Sequence, residues 1–149
     1  MRLPEDPQPG LVLCYAYLWR RESEAGLLEG RKDRPAVVVL ARRDIGPSAI
    51  LYVAPVTHSA PARREDAVEI PAAVKRHLGM DAAPSYIVAT EVNVFVWPGP
   101  DLRPIRQGDT PSSEGAPCFY GYLPRGVFRT LKEAILLNRE AGTAHVVKR

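Results

Sequence analysis

Gly10 opens an unbroken apolar run, Leu11-Val12-Leu13-Cys14-Tyr15-Ala16-Tyr17-Leu18-Trp19. Its length and its aromatic and branched side chains predict a strand. Residues 20–34 are polar, hold Gly26 and Gly30 and show no clear period, which predicts a long loop. Long loops in compact domains tend to carry function. After Pro35, Ala36-Val37-Val38-Val39-Leu40-Ala41 is apolar on both faces, the pattern of a central strand. A turn follows at Asp44-Ile45-Gly46-Pro47-Ser48. The third strand is Ala49-Ile50-Leu51-Tyr52-Val53-Ala54, ended by Pro55-Val56-Thr57-His58-Ser59.

Asp66-Ala67-Val68-Glu69-Ile70 alternates as a half-buried strand does. Pro71 at a first helical position and Gly79 as a stop frame a short helix over Ala72–Leu78. Ser85–Thr90 reads as a fifth strand, which Glu91–Trp97 continues or turns into a sixth. Residues 98–117 are dense in proline and predict a loop or an edge extension. Beyond Pro124, residues Val127, Phe128, Leu131, Ala134, Ile135 and Asn138 keep helical spacing, so an amphipathic helix runs to about Gly142. The expected architecture is mainly β with a C-terminal helix. A small antiparallel barrel would satisfy the sheet edges at this size.

Composition narrows this further. Proline takes 15 of 149 positions, and only residues 10–34 and 125–149 form long stretches without it. Helical bundles and coiled coils are excluded, because proline inside a helix removes a donor and clashes with the preceding turn. Length predicts a single domain over 1–149, with residues 1–9 as an N-terminal extension. No apolar run approaches a membrane span, and the acidic, Pro-rich start does not resemble a signal peptide. The two cysteines make no framework and fit a reducing compartment, so the expected location is cytoplasmic. Cys14 and Cys118 read as inert core thiols.

Net charge is only +3, but basic pairs recur at Arg20-Arg21, Arg31-Lys32, Arg42-Arg43 and Arg63-Arg64. Between strands, such pairs either track phosphates or are simply solvated. His58, His77 and His145 are far apart in sequence, and no carboxylate cluster has ligand spacing, so no metal site is expected. His77 and His145 are expected to face solvent.

The strand borders carry the chemistry. If the second and third strands pair as a hairpin, Arg34 comes beside Thr57, His58 and Ser59. Arginine offers a planar, permanently charged fork to phosphate oxygens, and histidine moves protons near neutral pH. In the alternative arrangement, Arg34 pairs with an acid such as Asp33, and Thr57 and Ser59 satisfy turn amides.

Arg34-Pro35 with its apolar run, then Val53-Ala54-Pro55-Val56-Thr57-His58-Ser59, resembles the PemK/MazF/Kid growth-inhibitor family of toxin–antitoxin toxins. Ile87-Val88-Ala89-Thr90-Glu91-Val92-Asn93 and the closing helix stand in the expected order. The resemblance implies an SH3-like barrel that forms a homodimer. It implies a metal-independent endoribonuclease that needs no cofactor and cuts single-stranded RNA by 2′-hydroxyl attack. A cognate antitoxin is the further implied partner. By position, Arg34 and Thr57 match the family's catalytic arginine and threonine. His58 is added here as a candidate for proton transfer, although strand alternation beyond Thr57 would turn it to the opposite face. Arg20, Arg21, Arg31 and Lys32 are candidates for phosphate contacts, and Tyr15, Tyr17 or Trp19 for base stacking. Ser59 and Glu91, in the family-like stretches, are further RNA-contact candidates.

The first strand reads Tyr15-Ala16-Tyr17-Leu18-Trp19, without the acid common in the family, and the 98–117 stretch looks inserted. Two other readings stay open: a non-catalytic SH3-like module binding RNA or protein, and a toxin of the gyrase-inhibitor type.

Overall fold

A computed structural model describes residues 1–44, 46–108, 110 and 113–149. The first apolar run pairs as β1 (Leu11–Tyr15) and then leaves the sheet, yet Ala16–Trp19 remain buried. The polar stretch expected to be all loop opens with a short helix, α1 (Arg20–Glu24). Its start is held by Glu22, whose Oε1 accepts the Trp19 N–H at 3.1 Å. Such side-chain capping is a local effect that hydrophobic periodicity does not register. The segment closes again at Gly30, where a side chain would collide with the Ala16 and Tyr17 carbonyls.

β2 (Arg34–Arg42) and β3 (Ile50–Thr57) form the central hairpin, pairing Ala36 with Pro55 and Val38 with Val53. Pro55 and the two residues after it continue β3 instead of ending it. One edge of β3 pairs β6 (Glu91–Val96) up to Val53 and then β5 (Tyr86–Val88) from Val56. Pro55 falls at this change of partner, where a missing N–H interrupts the ladder least. A helical turn at Arg64–Asp66 leads into β4 (Ala67–Glu69), and α2 (Ala72–His77) is followed by Gly79 at φ 70°.

β7 (Phe119–Tyr122) pairs with β1, α3 (Arg125–Glu140) follows, and β8 (His145–Lys148) runs parallel to β6. No strand was expected beyond the helix, and His145 was expected to face solvent. In β8, His145 is half-buried, whereas His77 is exposed as expected. Among the described residues the result is an eight-stranded, mainly antiparallel sheet with a C-terminal helix. The turn expected at 44–48 includes residue 45, and the Pro-rich 98–117 stretch includes 109, 111 and 112. Those four lie outside the described residues. Among the described residues no helix is long and apolar enough to cross a membrane.

Alternation along the central strands separates the core into two faces. Leu11, Leu13, Tyr15, Ala36, Val38, Leu51 and Val53 pack on one side with Tyr17, Trp19 and Phe95. Val12, Val37, Ala54 and Val56 face the other, against Ile87, Leu123 and Leu131 of α3. Burying a Leu side chain such as Leu131 contributes roughly 1.5–3 kcal/mol. Asn138 fixes the helix in register, donating to the Glu65 carbonyl at 2.8 Å.

Burial sets the titration of the core. Desolvation, with the Asp33 charge adding to it, raises Cys14 from its ordinary 9.0 to about 11, and it likewise raises Tyr15, Tyr17 and Tyr120. The folded chain therefore keeps protons that the unfolded chain releases above about 9. Stability is full below that pH and falls as pH rises towards 11 and beyond. Denaturant midpoints measured across this range should fall steadily, and a flat profile would contradict the burial of these groups.

Candidate functional site

The hairpin places the start of β2 beside the end of β3. Arg34 Nη1 donates to the Val56 carbonyl at 3.3 Å, across 22 positions of sequence. The Arg34 guanidinium carbon lies 5.0 Å from the centre of the Trp19 ring, and that of Arg21 lies 4.9 Å from it. Cation–π contacts of this kind are worth roughly 0.5–2 kcal/mol each, enough to hold a guanidinium in one orientation. Trp19 is only 8% exposed, so it forms a bed for these arginines and not an open stacking platform. Tyr15 and Tyr17 are buried outright and do not offer their faces to a base. The Tyr15, Tyr17 and Trp19 stacking expectation is corrected accordingly: Tyr15 faces the core from β1, and residues 16–19 leave the sheet but stay packed in that core.

Arg34 makes no ion pair among the described residues, and its Nε is buried without a partner. Asp33, the acid expected to compete for it, lies 3.6 Å from Arg103 instead. Burial lowers the proton affinity of Arg34, with Arg21 adding to the effect and Glu22 opposing it. An arginine so placed stays charged.

In front of Arg34 lies a cleft of about 590 Å³ whose walls include Arg21, Lys32, Thr57, His58, Ser59 and Arg106. Its acids among the described residues, Asp33 and Asp81, are each paired with a cation. Thr57 Oγ1 accepts the Ser59 N–H at 3.2 Å, so the threonine also shapes the turn, as the alternative arrangement had it. β3 ends at Thr57, so strand alternation does not extend to His58, which lines the same cleft. Its Nε2 lies 2.9 Å from Asp81 Oδ2. A second cleft of about 400 Å³ adjoins the first, sharing Trp19, Arg21, Lys32 and Arg34 and adding Arg31 and Glu22.

Of the residues singled out from sequence, Arg34, Thr57, His58, Ser59, Trp19, Arg21, Arg31 and Lys32 thus gather along these clefts. Arg20 and Glu91 do not. Arg20 pairs with Glu24 at 3.0 Å. Glu91 Oε1 accepts the Tyr17 hydroxyl at 3.1 Å and the Arg20 N–H at 2.9 Å, so it anchors the start of α1. A carboxylate at a helix start complements the exposed N–H groups there, which is why Glu91 is drawn away from the cleft.

Asp81, Lys75 and Arg106 escaped sequence reading. Arg106 sits in the Pro-rich stretch, which has no periodicity to read. Lys75 occupies the short helix framed by Pro71 and Gly79, and nothing in the spacing tells that its ammonium turns inward. No group of His, Cys, Asp or Glu side chains among the described residues is arranged to hold a metal ion. Compared with protein-family models and with curated proteins, the chain matches none.

Proposed function

We propose that the chain is a PemK/MazF-type toxin: a metal-independent endoribonuclease that cuts single-stranded RNA. The observation that carries the reading is Arg34, a guanidinium with no carboxylate partner among the described residues, fixed at the wall of a basic cleft beside Thr57 and His58. In the proposed reaction the substrate's 2′-hydroxyl gives its proton to His58, and its oxygen attacks the adjacent phosphorus. The bond from phosphorus to the 5′-oxygen breaks, that oxygen takes a proton from water, and the hydroxide so formed takes back the proton held by His58. The products are a 2′,3′-cyclic phosphate and a free 5′-hydroxyl, with no further reactant. Arg34 stabilises the charge that gathers on the phosphoryl oxygens, a term that preplaced donors supply without reorganisation. Thr57 orients the phosphate by a hydrogen bond.

The same reading takes the sheet as an SH3-like barrel, the working unit as a homodimer, and the site of action as the cytoplasm. An acidic, largely disordered antitoxin tail suits the basic cleft, since complementary charge steers it there and an unfolded segment can wrap a large surface despite the entropy cost of ordering. The deciding experiment is incubation of the purified protein with single-stranded RNA in EDTA. Cleavage leaving cyclic-phosphate ends supports the proposal. Intact RNA that still shifts on a gel would leave a binding module, and inhibited supercoiling with intact RNA would leave a gyrase-type toxin.

The cleft cations make a separate prediction. RNA affinity should fall steeply with salt, by a log–log slope of roughly −0.7 per phosphate contacted on a single strand. Replacing Lys32 or Arg21 by alanine should each reduce that slope by about one such contact. A flat salt dependence would remove the clefts as the RNA surface.

A further inference from the structure

Behind His58 lies a buried cation that the proposed reaction does not use. Lys75, on α2, is 3% exposed. Its ammonium donates to Asp81 Oδ1 at 2.6 Å, to Ser85 Oγ at 2.6 Å and to the Ala83 carbonyl. Asp81 turns its other oxygen to the His58 ring. Burial works against ionising Asp81, but the Lys75 hydrogen bond and the His58 ring outweigh it and hold the carboxyl below its usual range.

We infer that Lys75 and Asp81 are positioning residues that set the tautomer of His58, so that Nδ1 is the nitrogen that takes the substrate's proton. This rests on the endoribonuclease reading above. The logic is one of donors and acceptors. Lysine has only donors, so it requires an acceptor at Oδ1 of residue 81. The ionised carboxylate is an acceptor at both oxygens, so Nε2 of His58 must carry the hydrogen that faces it. Nδ1 is left as the basic nitrogen, and the ring is held at the cleft wall. The other charged groups around the cleft, Arg21, Lys32, Arg34, Asp33 and Arg106, make no hydrogen bond to the ring among the described residues.

Asp81→Asn tests this without removing the side chain. Lys75 still demands the oxygen, so the amide NH₂ is forced towards His58 and Nε2 must become the acceptor. The ring is inverted to the Nδ1–H form, the same wrong-tautomer fault that an Asp-to-Asn change causes in a serine-protease triad. Asp81→Ala imposes no such polarity, and free imidazole in water favours the Nε2–H form. The expected order of kcat is therefore wild type, then Asp81→Ala, then Asp81→Asn, with the last down at least about tenfold and KM little changed. A residue that merely supported the fold would give the reverse order, alanine being the larger truncation.

Ring ¹⁵N spectra at alkaline pH provide a readout that needs no activity. The Nε2–H pattern is expected in the wild type and the Nδ1–H pattern in Asp81→Asn. The same tautomer in both proteins would overturn the inference whether or not RNA is cut. Absent cleavage with the expected tautomer change would overturn the endoribonuclease reading and leave the polarity of position 81 established. Lys75→Met is the less clean variant, because it removes a buried, fully paired group and threatens the α2–β5 connection.

Discussion

Arg34→Ala lowers cleavage of single-stranded RNA roughly 10²–10³-fold, the scale found when one preplaced donor to a developing oxyanion is removed. The fall is expected mainly in kcat, because the charge that Arg34 meets is largest in the transition state. Arg34→Lys should not restore it. The guanidinium spans the Val56 carbonyl and the Trp19 ring at once, and a lysine ammonium has neither the planar fork nor the same reach. The fold should survive both changes, since Arg34 is only partly buried and satisfies no carboxylate among the described residues. Equal thermal midpoints with lost cleavage would assign Arg34 to the chemistry. Wild-type cleavage by Arg34→Ala would sink the proposed mechanism.

The second large effect is on stability. Asn93→Ala should destabilise the protein by about 3 kcal/mol, since it strands buried backbone groups that cost roughly 1–3 kcal/mol each when unpaired. Asn93 is fully buried on β6. It accepts the Leu18 N–H at 2.9 Å and donates to the Leu18 carbonyl at 2.7 Å, reproducing a strand's pairing where β1 has already left the sheet. Arg149 Nη1 also reaches its oxygen at 3.2 Å and is itself paired with Asp101. For a chain of this size a loss of that order should lower the thermal midpoint by about 10 °C. Leu18 directly precedes Trp19, the bed of Arg34, so cleavage should fall along with stability. A midpoint within a degree or so of wild type would show that water replaces the amide at no cost.

These two residues differ in how far the chain announced them. Arg34 stood at the border of a proline-led apolar run, and a hairpin guess sufficed to bring it to Thr57. Asn93 was visible only as a polar residue in an apolar strand, with nothing to name its partner 75 positions away. The second and third strands, the short helix after Pro71 and the closing amphipathic helix were legible because their hydrophobic periods are local. α1 and β8 were not. α1 is one turn set by Glu22 and Glu91, and β8 is a short segment that becomes a strand by lying beside β6. Alternation would have turned His58 away had the strand continued, but it stops where the strand stops.

The amino-acid order by itself determined a β-rich chain of short elements with one long helix at its end. Proline spacing and side-chain alternation are properties of neighbours along the chain, and neighbours are what a sequence displays. Only the tertiary structure decided what charge each side chain meets: Asp33 turned to Arg103, Glu91 to the start of α1, and Lys75 inward to Asp81. Those pairings join residues from separate elements. They follow from the need to give each buried or crowded ion a partner, a condition that exists only once the chain has folded.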